Sequence, residues 1–204
     1  MELIELDVPG AYVMTPRQFG DDRGVFLEWF RHEAFGQAVG HDLRLAQANC
    51  SVSAKGTLRG IHYADVPPGQ AKYVTCVTGA VLDVVVDIRV GSPTFGRWQG
   101  VTLDTIDRRA IYLGEGLGHA FLALADDSTV VYLCSESYNA TAEREVNPLD
   151  PDLGIAWPLD ALDGPPRLSA KDAAAPTLNE AAAQGLLPTW EGVASYLDEL
   201  RGGR

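Results

Sequence analysis

The run from Leu58 to Lys72, LRGIHYADVPPGQAK, sets an arginine, a histidine and a lysine around a Gly/Pro-rich turn inside strand-like sequence. These types suit proton abstraction beside an anionic ligand. Histidine, with an unperturbed pKa of about 6.5, is usefully basic near neutrality, while Arg59 and Lys72 supply fixed positive charge for a phosphate or a developing oxyanion. In isolation, a buried histidine between two solvated cations would read the same way.

Further residues bear on that choice. His119 follows Gly116-Leu117-Gly118, so two histidines stand beside glycine in strand-like sequence and invite a metal reading. Metal-binding barrels usually present several His and carboxylate ligands together, often as His-x-His; here the second place is Ala64, and Asp65 is the one close carboxylate. The expectation is therefore use of His62 without a metal. His32 and His41 fall in an early helical segment and read as surface residues. Tyr132 and Tyr138 lie six apart in one strand-like run, which on strict alternation puts them on one face with Cys134 and Glu136. A phenol there can donate a proton and a second ring can stack on a flat ligand, or both are amphipathic core tyrosines. Lys171-Asp172, taken alone, reads as a surface charge pair.

The elements that must position these groups are mostly strands. Runs at 25–30, 45–52, 71–77, 81–89, 98–103, 110–113, 119–125 and 129–138 are rich in β-branched and aromatic residues and are cut by Gly, Pro, Asp or Ser. In Val81 to Ile88 the even positions are all apolar and the odd ones carry Asp83 and Asp87, which places both aspartates on the face away from a core. Many short strands without helical crossovers predict an all-β, antiparallel double-sheet jelly roll. Helix is expected over 31–39, closed by Gly40, and twice in the C-terminal tail. Thr177 with Glu180 forms a capping-box pattern, and Trp190, Val193, Ala194, Leu197 and Leu200 form an apolar stripe. The organisation expected is a barrel over 1–175 with a helical tail, 176–204, packed on the same domain.

Composition excludes several function classes. The net charge of −12 argues against nucleic-acid binding and requires any anionic ligand to meet a local cluster of cations. No apolar run is long enough for a membrane span, and residues 1–5 lack the pattern of a signal peptide, so the cytoplasm is the expected compartment. Three widely spaced cysteines fit reduced core thiols better than disulfides or a zinc site.

Nine ordered segments then change the weight of these candidates. They are Asp22-Arg23-Gly24-x-Phe26, Gln47-Ala48-Asn49, Leu58 to Tyr63, Ala71-Lys72, Gly91 to Gly96, Gly118 to Phe121, Tyr132 with Tyr138, Asp152 to Pro158, and Leu168-Ser169-x-Lys171-Asp172. Together they resemble the dTDP-4-dehydrorhamnose 3,5-epimerase family over nearly the whole chain, most closely its natural-product deoxysugar branch. The resemblance implies a cupin-type jelly roll without cofactor or metal, working as a homodimer on dTDP-4-dehydro-6-deoxy-D-glucose. In that substrate the hydrogens on C3 and C5 flank the C4 carbonyl, so one base can remove either and leave an enolate. By resemblance His62 is the base, Asp172 orients it, Lys72 with His119 meets the O4 oxyanion, and Tyr132 is the acid. Arg23, Arg59 and Lys171 would hold the pyrophosphate or its neighbours and Tyr138 would stack on thymine. Phe26, Glu28, Gln47, Asn49 and Glu143 match further substrate contacts.

Two departures from the family pattern are Ala64, where glutamine is frequent, and a missing tryptophan between Glu143 and Asp152. Both bear on how the sugar is seated and on whether C3, C5 or both are inverted. Alternation also sets Arg59 and His62 on opposite faces, whereas the resemblance needs both at the pocket; a bulge at Gly60 is one way to reconcile them. A 3,4-ketoisomerase and a non-catalytic nucleotide-sugar-binding cupin are the competing readings.

Overall fold

The β-branched runs pair into two large sheets in the computed structural model, which describes residues 2–202. In chain order the strands are β1 (Glu2–Glu5), β2 (Ala11–Thr15), β3 (Gln18–Asp21), β4 (Gly24–Leu27), β5 (Gln47–Ser53), β6 (Leu58–Ala64) and β7 (Lys72–Thr78). They continue with β8 (Ala80–Asp87), β9 (Trp98–Asp104), β10 (Ala110–Leu113), β11 (Leu117–Ala123), β12 (Ser128–Cys134) and β13 (Glu143–Glu145). The helices are α1 (His32–Val39), α2 (Ala170–Ala173), α3 (Leu178–Ala183) and α4 (Trp190–Gly202). One sheet runs β1-β2-β10-β7-β12-β5 and the other β13-β6-β11-β8-β9, while β3 and β4 form a separate hairpin. All of these pairings are antiparallel, giving the double-sheet jelly roll that the strand pattern predicts.

Three apolar layers hold the sheets. Between them, Val74, Val81, Val85, Ile111, Phe121 and Val130 fill the barrel. Outside the five-stranded sheet, Leu58, Ile61, Val84 and Ile88 pack against Leu153, Trp157, Leu178, Ala181 and Leu187 of the C-terminal third. Outside the six-stranded sheet, Phe35 and Val39 of α1 cover Tyr73 and Tyr112. At about 25 cal/mol per Å² of apolar surface, such two-sided burial is the main source of stability.

Several expectations are corrected here. Both faces of β8 are buried, because one meets the C-terminal segments and the other lines the barrel; Asp83 and Asp87 are fully buried and point inward. The strand expected at 25–30 ends at Leu27, and β1, β2, β3 and β13 are additional strands. The run 129–138 stops pairing at Cys134, since both neighbours, β5 and β7, begin opposite that residue. Tyr138 therefore lies beyond the strand and is exposed, so alternation does not relate it to Tyr132. His41 is buried, because left-handed Gly40 turns the chain back under α1. In the tail, the capping box of Thr177 and Glu180 starts α3, and the additional short helix α2 carries Lys171 and Asp172.

Candidate active site

A bulge in β6 brings Arg59 and His62 to the same face. His62 pairs with His119 and Arg59 with Phe121, so three steps along β6 match two along β11. The extra residue falls at Gly60-Ile61, and side-chain parity changes across it. Gly60 has φ +116°, and a Cβ there would lie 2.5 Å from the His119 carbonyl oxygen, so only glycine fits. Ile61 turns outward into the core while His62 turns into the barrel.

His62 meets a carboxylate from far along the chain. Its Nε2 lies 2.7 Å from Oδ1 of Asp172, which is buried at 3% exposure. Burial pushes the Asp172 carboxyl up, but hydrogen bonds from His62, Ser169 and the Gly60 backbone outweigh it and hold the group below its ordinary value. An ionised carboxylate only accepts, so Nε2 carries the proton and Nδ1 is the basic nitrogen. Ser169 caps α2 by accepting from the Asp172 N–H at 3.0 Å, which fixes the aspartate at the helix start.

A second histidine–carboxylate pair stands opposite on β11. His119 Nε2 lies 2.9 and 3.0 Å from the two oxygens of Asp83. Next to them is Lys72, a buried ammonium whose pKa burial pulls down, against the opposing fields of Glu143, Cys134 and Asp83. Burial likewise raises the Tyr132 phenol, with Cys134 acting in the same sense and Arg59 against it. Ser51, Arg59, His62, Lys72, His119, Phe121 and Tyr132 line one cavity of about 120 Å³. A larger cavity of about 240 Å³ opens beneath α4, beside Arg89, Tyr112 and Trp190. Chemistry, not size, selects the smaller one, because a base, a phenol, an ammonium and a guanidinium converge there.

The other residues expected at a site divide into two groups. Gln47 and Asn49 project from β5 beside the cavity, joined by a 2.8 Å bond from Gln47 Nε2 to Asn49 Oδ1. Glu143 pairs with Ala64 across β13 and β6 and is half-buried, within electrostatic reach of Lys72 and Tyr132. Lys171 is ion-paired with Glu145 near the rim. By contrast Arg23, Phe26 and Glu28 are exposed on or just after the β3–β4 hairpin, with Arg23 held by Asp21 at 2.5 Å, and none of them lines the cavity. Tyr138 is also exposed, although its backbone N–H donates to Gln47 Oε1 at 2.8 Å.

Ser51 and Phe121 line this cavity, and Asp83 stands behind it as the partner of His119; none of the three was among the sequence candidates. A signal for Asp83 existed, since a carboxylate amid five valines and leucines must be paired to be buried. Its neighbour Asp87 serves the scaffold instead, binding Arg89 twice at 2.8 Å, Ser92 at 2.6 Å and Thr94 at 2.5 Å. That clamp accounts for the Gly91 to Gly96 segment as a loop fastener.

Comparison with known proteins gives a concordant picture. Residues 5–180 match the model of the dTDP-4-dehydrorhamnose 3,5-epimerase family. A Mycobacterium tuberculosis protein named dTDP-4-dehydrorhamnose 3,5-epimerase is 55% identical over 203 residues, covering 99% of this chain and 100% of that one. A Streptomyces niveus protein named dTDP-4-dehydrorhamnose 3-epimerase is 55% identical over 190 residues, covering 93% and 90%. Among solved structures, ChmJ, a 3'-monoepimerase from Streptomyces bikiniensis in complex with dTDP-quinovose, superposes with a TM-score of 0.92 at 55% identity, covering 96% of this chain and 98% of that one. With a matching family model, such relatives along nearly its full length and a cavity furnished for acid–base chemistry, the chain belongs to the dTDP-4-dehydrorhamnose 3,5-epimerase family and is an enzyme of the isomerase class.

Proposed function

We propose that the cavity inverts the carbons flanking the C4 ketone of dTDP-4-dehydro-6-deoxy-D-glucose, at C3, C5 or both, within dTDP-deoxysugar biosynthesis. The observation that carries this reading is that His62 and Tyr132 approach one cavity from opposite sheets. Inversion needs a proton removed from one side of the ring and returned on the other. A ring lying between β6 and β12 meets a base on one face and a phenol on the other.

His62 Nδ1 takes the proton while Asp172 holds the ring through Nε2–H and stabilises the imidazolium that forms. Charge then moves onto O4, where the Lys72 ammonium donates to the enolate oxygen in a site shielded from water. Asp83 engages His119 Nε2–H, so His119 adds a donor through Nδ1 only when it is an imidazolium. Tyr132 donates to the opposite face of the carbon, and bulk solvent restores both groups. Arg59 spends Nε on Ser53 Oγ at 3.2 Å, which leaves the rest of its fork for phosphate oxygens. Lys171 would assist, and Gln47, Asn49, Glu143 and the Tyr138 ring would receive the nucleotide.

The same reading makes the enzyme a homodimer. Phe19, Val25 and Phe26 are 50%, 51% and 71% exposed on the β3–β4 hairpin, an apolar surface that a second copy would bury. That contact would also give Arg23, Phe26 and Glu28 a place in a partner's site, since they do not reach this one. Three unpaired cysteines support a cytoplasmic setting, and no helix among the described residues is long and apolar enough to cross a membrane.

Incubation of the 4-keto nucleotide sugar in heavy water tests the proposal. Deuterium is expected at C3, C5 or both, and its position reports which carbons are inverted. A substrate recovered without label, or a product with its carbonyl moved to C3, would overturn it.

A further inference from the structure

Four polar side chains of β5 point into the barrel, at positions 47, 49, 51 and 53. Three of them are spent on protein partners. Gln47 bonds Asn49 and accepts from the Tyr138 N–H, Asn49 Nδ2 donates to Cys134 Sγ at 3.6 Å, and Ser53 Oγ accepts from Arg59 Nε at 3.2 Å. Ser51 differs: its hydroxyl is buried without a hydrogen-bond partner, and it lines the cavity with Arg59, His62, Lys72 and Tyr132. An unpaired buried hydroxyl is costly, so one facing a binding cavity is best explained by a partner that arrives with the ligand.

Strand register says which part of the ligand that is. Along the inner face of the six-stranded sheet, Lys72 stands level with Cys134 and Gln47, Tyr132 with Asn49, Ser51 with Val130, and Ser53, which holds Arg59, with Ser128. Successive levels are two residues apart, about 7 Å along the strand, before side chains converge. The order is thus oxyanion donor, proton donor, Ser51, phosphate-binding arginine. In a hexose joined through C1 to a diphosphate and carrying its ketone at C4, the atoms between ketone and phosphate on one edge are C3 and then C2. A hydroxyl on C2 both donates and accepts, as Ser51 does.

We infer that Ser51 is a specificity residue that hydrogen-bonds the C2 hydroxyl of the sugar, so that this enzyme discriminates 2-hydroxy from 2-deoxy 4-keto sugars. The inference rests on the epimerase reading above.

The test compares kcat/KM for dTDP-4-keto-6-deoxyglucose and its 2-deoxy analogue in the wild-type enzyme, Ser51→Ala and Ser51→Thr, with dTDP affinity measured alongside. Loss of one neutral hydrogen bond should lower kcat/KM of Ser51→Ala about tenfold for the 2-hydroxy sugar. The 2-deoxy sugar should change less than about twofold, because the group that Ser51 meets is already missing. Ser51→Thr keeps a hydroxyl and should retain the preference, and dTDP affinity should stay level. Equal losses for both sugars, or weakened dTDP binding, would move Ser51 to the phosphate and overturn the inference; so would no loss at all. A wild-type enzyme that washes no deuterium into either sugar would instead sink the epimerase reading.

Discussion

Two histidines, each held by a buried carboxylate, face the same cavity, yet the pairs are built differently. Asp83 and His119 both belong to the five-stranded sheet, on neighbouring strands, and their side chains are 0% and 9% exposed. Asp172 and His62 are drawn from a four-residue helix and a bulged strand, and the His62 side chain is 36% exposed. Chemically the pairs are equivalent. The difference lies in access and support: His119 is fixed by the sheet and shut from solvent, whereas His62 can exchange protons with water and depends on α2 for its orientation. Under the proposed mechanism, proton transfer falls to the open pair and charge stabilisation to the closed one.

The largest effect that separates them is removal of the open ring. His62→Asn should lower deuterium wash-in by 10²- to 10⁴-fold, the usual worth of a positioned base, while His119→Asn should leave exchange measurable at a reduced rate. Equal loss in both would erase the distinction. Next comes the support: Asp172→Asn should reduce kcat on the order of 100-fold with little change in dTDP affinity, since it acts through the imidazole rather than on the nucleotide.

Stability should run the other way. Asp83→Asn disrupts a fully buried charged hydrogen bond worth about 2 kcal/mol, which for a chain of this length lowers Tm by about 4–8 °C in a thermal melt. Asp172→Asn, whose partner ring His62 is 36% exposed, should lower it by less. The smallest effect is on pH dependence. Lys72 acts as a cation and burial depresses its pKa, so kcat should fall as pH rises through a value below the ordinary 10.5 of lysine. Burial raises the Tyr132 phenol above its ordinary 10.0 and favours the protonated, donating form, so Tyr132→Phe should lower the rate across the neutral range.

Much of the barrel was legible in the chain. Alternation marked β8, clustered β-branched residues marked eight runs, and Thr177 with Glu180 marked α3, because these signals act within a few residues. The edge pieces were less legible: β1 and β13 are four and three residues long, with no pattern beyond what their neighbours impose. His41 read as a surface residue, since one left-handed glycine decides which way the chain leaves α1. Asp83 and Asp87 look interchangeable in Val81 to Ile88, yet one holds the cavity-lining His119 and the other ties down a loop.

The amino-acid sequence by itself determined the inventory: an imidazole at His62, a phenol at Tyr132, cations at Arg59 and Lys72 in an acidic chain, and strands to carry them. Tertiary structure alone decided how these groups meet. His62 finds Asp172 110 positions away, and His119 finds Asp83 across 36. Arg59 and His62 share a face only because β6 bulges where Gly60 meets the His119 carbonyl. The two faces needed for inversion come from two sheets closing on one another. Local propensity acts over a turn or a strand repeat, whereas a site is made where distant segments bury their polar groups together.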